Sequence, residues 1–179
     1  MNHLFKYLSA TCLGLFFSVT IATAHSDEFT PAFVDTLVPD YLAVQTALAG
    51  DDLAAAQAAA GQLVAIAKHG PEFSAFTTPA SQLAQAKDIK AARKQFQTVS
   101  MEMQDLVDHV GTTDKVNLFE AHCPMAFDGK GGDWLQADQN LANPYYGAMM
   151  LRCGSIKGQV AGAKSLMPES RTMHDHSNH

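Results

Sequence analysis

The chain has 179 residues, with 12 Lys and Arg against 18 Asp and Glu and a formal net charge of −6. That length suits one domain with its own core. The acidic balance, with no basic patch in the sequence, argues against a nucleic-acid partner.

Residues 1–24, "MNHLFKYLSATCLGLFFSVTIATA", carry one charge, Lys6, then an apolar run and Ala22-Thr23-Ala24. This is the layout of a secretory signal peptide cleaved after Ala24. The run is too short and too close to the cleavage site for a good membrane span. Cys12 belongs to that leader. The expected product is periplasmic or secreted, starts at His25, has no membrane span, and has a net charge of about −7 once Lys6 is removed. In an oxidising compartment Cys123 and Cys153 are expected to pair unless something occupies them.

Residues 25–110 read as a helical bundle. Thr30-Pro31 and Thr78-Pro79 each fit an N-cap followed by proline at the first helical position. Val34, Leu37, Tyr41, Val44 and Leu48 alternate spacings of three and four, one apolar helical stripe. Pro39 lies within it, so the helix kinks there or starts there. Gly50 ends this run, and Asp51, next to Asp52, suits capping of the following helix. Leu53, Ala56, Ala60, Leu63 and Ala67 repeat the stripe, with Lys68 and His69 at the negative end of the helix dipole and Gly70 at the C-cap. A further stripe runs from Ile89 through Ala92, Phe96, Val99, Met103 and Leu106 to Val110. It loses phase backwards through Ala86 and Leu83. A short helix before about Lys87 and a long one after Asp88 are therefore expected. Short connections imply antiparallel neighbours. The fold class expected is mainly α: an up-and-down bundle of three to four helices, followed by a small irregular or β region.

Composition changes after Val110. Residues 111–160 hold seven of the 12 glycines, the one tryptophan, and both Cys123 and Cys153. This segment is expected to pack on the bundle as part of the same domain. "VNLFEAHCPMAF" can open as a strand and "DGKGGDWL" reads as a turn. The remainder, 161–179, reads as a disordered, His-rich tail.

"HCPMAF" and "MMLRCG" are the chemical centre of the sequence. In an extended segment Cys123 and Met125 point to the same side, and His122 to the other. Met150 and Cys153 are three apart, as on one face of a helical turn. Two thiols with thioethers form a soft donor set that selects Cu(I) over Zn(II), Mg(II) or Ca(II). His122 and Met149 are possible additions. The competing reading is a Cys123–Cys153 disulfide closing a loop of about 30 residues, worth roughly 3–4 kcal/mol in the chain-entropy model. Met125, Met149 and Met150 would then fill the core. Trp134, Tyr145 and Tyr146 either cover the sulfurs or are plain core aromatics. His174, His176 and His179 read either as a second, looser metal site or as part of a solvated tail with no role.

"HCPMAF", "WLQ" and "NPYYGAMMLRCG" together resemble a domain-of-unknown-function family of exported bacterial proteins, often fused to periplasmic adaptor subunits of heavy-metal efflux systems. The resemblance spans His122 to Gly154. It implies a periplasmic role in handling copper or a related metal, with efflux components or another copper carrier as partners. It implies no catalytic activity. The residues agree: there is no Cys-x-x-Cys-His and no His-Glu-x-x-His, and "GKGG" lacks the Gly-Lys-Ser/Thr ending of a phosphate loop. No enzyme is expected.

Overall fold

The computed structural model describes residues 29–113 and 115–161. The expected leader, its Cys12, His25, and the tail with His174, His176 and His179 lie outside the described residues.

Helix α1 (Pro31–Ala49) starts as its sequence indicates. The Thr30 hydroxyl accepts the Phe33 N–H, and Pro31 occupies the first turn. Val34, Leu37, Tyr41, Val44 and Leu48 are all fully buried. Pro39 neither starts nor ends the helix. It sits exposed inside it, where it removes one helical bond while its ring faces solvent. Helix α2 (Leu53–Ala67) buries Ala56, Ala60, Leu63 and Ala67. Asp52, not Asp51, caps it by accepting the Ala55 N–H at 2.9 Å. Asp51 is left-handed (φ 59°), and its carboxylate serves another contact described below. Glycine is not the C-cap of α2, since the helix ends at Ala67 with Lys68 in that place. Gly70 is needed for a different reason: the Phe33 ring lies where a Cβ would project.

Helix α3 (Ser74–Ala84) begins ahead of the expected Thr78-Pro79 cap, and Pro79 is buried inside it. The Phe73 carbonyl accepts the N–H groups of Phe76 and Thr77 and the Thr77 hydroxyl. Phe73 also stacks on Phe76 and meets Phe29 edge-on, at 5.4 and 5.1 Å between ring centres. These contacts set the first turn, so no proline is needed to start the helix. Helix α4 (Ile89–His109) follows the expected break, with Asp88 accepting the Ala91 N–H at 2.7 Å. Ala92, Phe96, Val99, Met103 and Leu106 face the core. Helix α1 packs on α2, α2 on α3 and α3 on α4, and α4 returns to α1. Among the described residues no helix is long and apolar enough to cross a membrane.

The chain then forms a three-stranded antiparallel sheet of order β2-β1-β3: β1 (Leu118–Cys123), β2 (Gly132–Gln136) and β3 (Ser155–Ala161). The expected turn over "DGKGGDWL" is shorter than the sequence indicates. It ends at Gly131, and Trp134 and Leu135 are buried in β2. Irregular pairing between β1 and β3 at Leu118/Phe119 and at Glu120/Ala121 leaves Val160 and Lys157 of β3 as the extra residues, and on β1 Leu118, Ala121 and Cys123 are all buried. The Tyr41 hydroxyl joins the sheet to the bundle. It bonds Ser100 Oγ at 2.6 Å and accepts the Leu135 N–H at 2.9 Å. Complete burial pushes the Tyr41 pKa well up, so the hydroxyl stays protonated and makes both contacts.

Candidate metal and thiol centre

Strand β1 ends at Cys123 because Pro124 has no N–H to continue the ladder. Strand β3 enters beside it after Cys153-Gly154. Gly154 has φ 126°, and any Cβ there would run into the His122 carbonyl. The glycine therefore lets the second cysteine segment lie against the first. Cys123 is fully buried, Cys153 is half-buried, and their Sγ atoms are 3.2 Å apart. Both are free thiols. Two sulfurs bound to one metal at about 2.3 Å each sit about 3.7 Å apart in a tetrahedral shell, about 4.0 Å in a trigonal one and about 4.6 Å in a linear one, whereas a disulfide brings them to about 2.05 Å. The observed spacing lies between, so the sulfurs move together for a disulfide and apart for a metal. The Cys123 thiol, hydrogen-bonded to Cys153, raises the pKa of the latter above the ordinary thiol range.

The other sulfur positions depart from the simple periodic picture. Met125 is not the next residue of an extended strand. It adopts a helical conformation at the start of a turn and is 53% exposed. Met150 and Cys153 do not share a helical face either. A single 3-10 turn, Gly147–Met149, ends before Met150, whose backbone (φ −145°, ψ 47°) is not helical. Met150 and Cys153 instead close a reverse turn through a 2.9 Å bond from the Cys153 N–H to the Met150 carbonyl. Met149 is 78% exposed. The expectation of Met125 and Met149 as core filler therefore fails on exposure. Met150 is half-buried.

His122 faces away from Cys123, as strand alternation requires. Its Nδ1 lies 2.8 Å from Asp133 Oδ1 across the β1–β2 pairing. Lys157 on β3 bridges Asp133 at 2.9 Å and Glu120 at 3.1 Å. Partial burial works against ionisation of Asp133, but the bonds from Lys157 and His122 outweigh it and lower the pKa. This polar network occupies the sheet face opposite the thiols. Among the described residues no three His, Cys, Asp or Glu side chains converge as a metal site. A third ligand beside the two thiols would have to be a thioether or come from outside these residues.

Three residues hold the centre in place through contacts that the sequence reading does not foresee. Asn143 is fully buried. Its amide donates to the Cys153 carbonyl, its backbone N–H to the Leu151 carbonyl, and its side-chain oxygen accepts the Tyr145 N–H. Arg93 reaches from α4 to the Leu48 and Pro144 carbonyls, both at 2.8 Å, and to Asp51 at 2.5 Å. Asp51 also accepts the Ala148 N–H at 2.8 Å. That bond, then Arg93, lowers its pKa. Gly147 (φ 60°) leaves room for this clamp, because a Cβ would strike Asp51 and Arg93. Trp134 and Tyr145 are core residues: the indole donates to Gln136 Oε1, and Tyr145 meets Trp134 edge-on at 5.7 Å. Tyr146 is half-buried, and its hydroxyl donates to the Met125 carbonyl at 2.6 Å.

Neither the curated proteins nor the solved structures contain a match to this chain. A family model described as a protein of unknown function (DUF3347) matches residues 37–115, from within α1 to the segment before β1. The match covers the helices that carry the sheet, and the thiol centre lies outside it. Over its helical half, the chain is therefore similar to a domain-of-unknown-function family.

Proposed function

We propose that the protein is an exported carrier of soft monovalent metal that takes up Cu(I) between Cys123 and Cys153. The observation behind this reading is a pair of free thiols 3.2 Å apart, one half-exposed, with solvent-exposed methionines in the adjoining turns. The donor set fits the ion, since thiolates and thioethers are soft ligands and an exposed thioether can move onto a bound metal without losing core packing. Met125 and Met150 are the candidate third ligands, with Met149 as an alternative. In this reading the protein works in the periplasm or outside the cell, where it buffers copper or passes it to an efflux component or another carrier.

A second reading rests on the same spacing: a structural or interaction domain locked by a Cys123–Cys153 disulfide. Burial of Cys123 favours it. The two are connected, because oxidation removes both thiolates and makes the disulfide the metal-free form. A Cu(I) competition titration of the reduced protein separates them. The carrier binds one equivalent, loses it on Cys123→Ser with Cys153→Ser, and binds at least about tenfold more weakly with Met125→Leu and Met150→Leu, which keep volume and remove sulfur. Absence of competitive Cu(I) uptake by the reduced protein leaves the disulfide reading.

A further inference from the structure

Five of the chain's 12 Lys and Arg fall at Lys87, Lys90, Arg93, Lys94 and Lys130, in a protein of net charge −6. Linear sequence hides this cluster, since Lys130 is distant from the others along the chain. In the fold, Lys90, Lys94 and Lys130 line one cavity of about 530 Å³ between α4 and the turn Ala126–Gly129. All three are exposed, and none makes an ion pair with a described residue. Two carboxylates share that lining, Asp88, which also caps α4, and Asp128, so three ammonium groups face two carboxylates.

The shape of the cavity is elongated. Lys90, Lys94 and Gln97 follow one another at spacings of four and three on α4, a strip about 10 Å long. Phe127 forms the facing wall. It opens a left-handed run with Asp128 and Gly129 (φ 53°, 61° and 81°), which sets its ring edge-on against Tyr145 at 4.9 Å. Lys90, Phe127 and Asp128 also line a second cavity of about 380 Å³, so the two adjoin. That second cavity reaches Tyr146 and Met149. Tyr146 bonds the Met125 carbonyl, two residues after Cys123, and Met149 precedes the Met150–Cys153 turn. The groove thus ends on the two segments that carry the thiols.

We infer that this groove docks an acidic, partly apolar segment of a protein partner and brings it beside the thiol pair. Unpaired lysines in a row select carboxylates, and the Phe127 wall takes an apolar side chain between them. Such complementarity controls orientation and encounter rate more than final affinity. Identifying the partner as the one that exchanges metal rests on the proposed carrier function, whereas the docking itself does not.

The test is fluorescence anisotropy of reduced, metal-free protein with a short labelled Glu/Leu peptide, its Gln/Leu counterpart, and citrate as competitor. The Glu/Leu peptide binds, weakens as salt is raised, and loses at least about tenfold in affinity with Lys90→Glu, Lys94→Glu and Lys130→Glu combined. The Gln/Leu peptide binds more weakly, and Phe127→Ala reduces binding of the Glu/Leu peptide. The lysines are exposed, so the charge-reversed protein keeps its fold and its Cu(I) uptake. Equal peptide binding by wild type and the charge-reversed variant overturns the inference. So does citrate binding without peptide binding, which marks a small-anion site. Failure of the wild-type protein to bind the Glu/Leu peptide while it takes up Cu(I) overturns the dock alone, and peptide binding by a wild-type protein that takes up no Cu(I) overturns the carrier alone.

Discussion

The helical half and the strand half of this protein are held by different means. Residues 31–110 bury one apolar stripe after another, and the core would survive the loss of any single polar contact. Residues 118–161 add Leu118, Trp134 and Leu135 to the same core and are further held by individual groups: the Tyr41 hydroxyl, the Asn143 amide, the Arg93 fork and the glycines at 147 and 154. Among the described residues only the second half brings two thiols together.

The contrast can be broken most directly from the helical side. Phe96 is fully buried, stacked on Tyr41 at 5.4 Å and near Tyr145 at 6.0 Å. Phe96→Ala is expected to cost about 3–5 kcal/mol in chemical denaturation and to loosen both halves together. A cost under about 1 kcal/mol would mean that α4 is not the shared core. Gly154→Ala is expected to cost about 2–3 kcal/mol and, unlike Phe96→Ala, to prevent oxidative cross-linking of Cys123 and Cys153 while the helices stay folded. Unchanged disulfide formation in that variant would contradict the role given to the close approach. Tyr41→Phe removes one hydroxyl and leaves Leu135 N–H and Ser100 without their partner, at about 1–2 kcal/mol. Amide exchange should quicken in β2 and hardly change in α2. Uniform exchange across the chain would erase the distinction between the halves.

The smallest of these effects concerns pH. Contact with Cys123 raises Cys153, so the folded reduced form favours the protonated thiol. That contribution to stability is complete below the unfolded thiol value, about 8.5, and is lost as pH rises through the higher folded value. Metal uptake has the opposite sign, because ligation expels protons. Apparent Cu(I) affinity should climb about tenfold per pH unit for each proton released. Competition titrations one pH unit apart check this, and a pH-independent affinity excludes thiolate ligation.

The same contrast explains what the sequence discloses. Repeated burial leaves a period, and so α1, α2 and α4 can be read from Val34 to Leu106 with Asp88 and Thr30 as their starts. The start of α3 is hidden because Phe29, Phe73 and Phe76 set it by contact, and the Thr78-Pro79 pair only imitates a cap. In the strand half nothing repeats. Cys123 and Cys153 are legible as a pair by chemistry alone, but Arg93 and Asp51 act through long-range bonds, and Asn143 through bonds inside an irregular loop, that leave no periodic pattern. The methionines are misread for a related reason: Pro124 and the 3-10 turn interrupt the regular geometry on which strand or helix spacing depends.

The central claim is that the thiol pair is a soft-metal centre. X-ray absorption at the copper edge of protein loaded with one equivalent of Cu(I) tests it most directly. The account predicts an all-sulfur shell of two or three ligands that loses one sulfur, or binds copper more weakly, in Met125→Leu with Met150→Leu. A shell dominated by nitrogen or oxygen, or one unchanged by Cys123→Ser with Cys153→Ser, would contradict it.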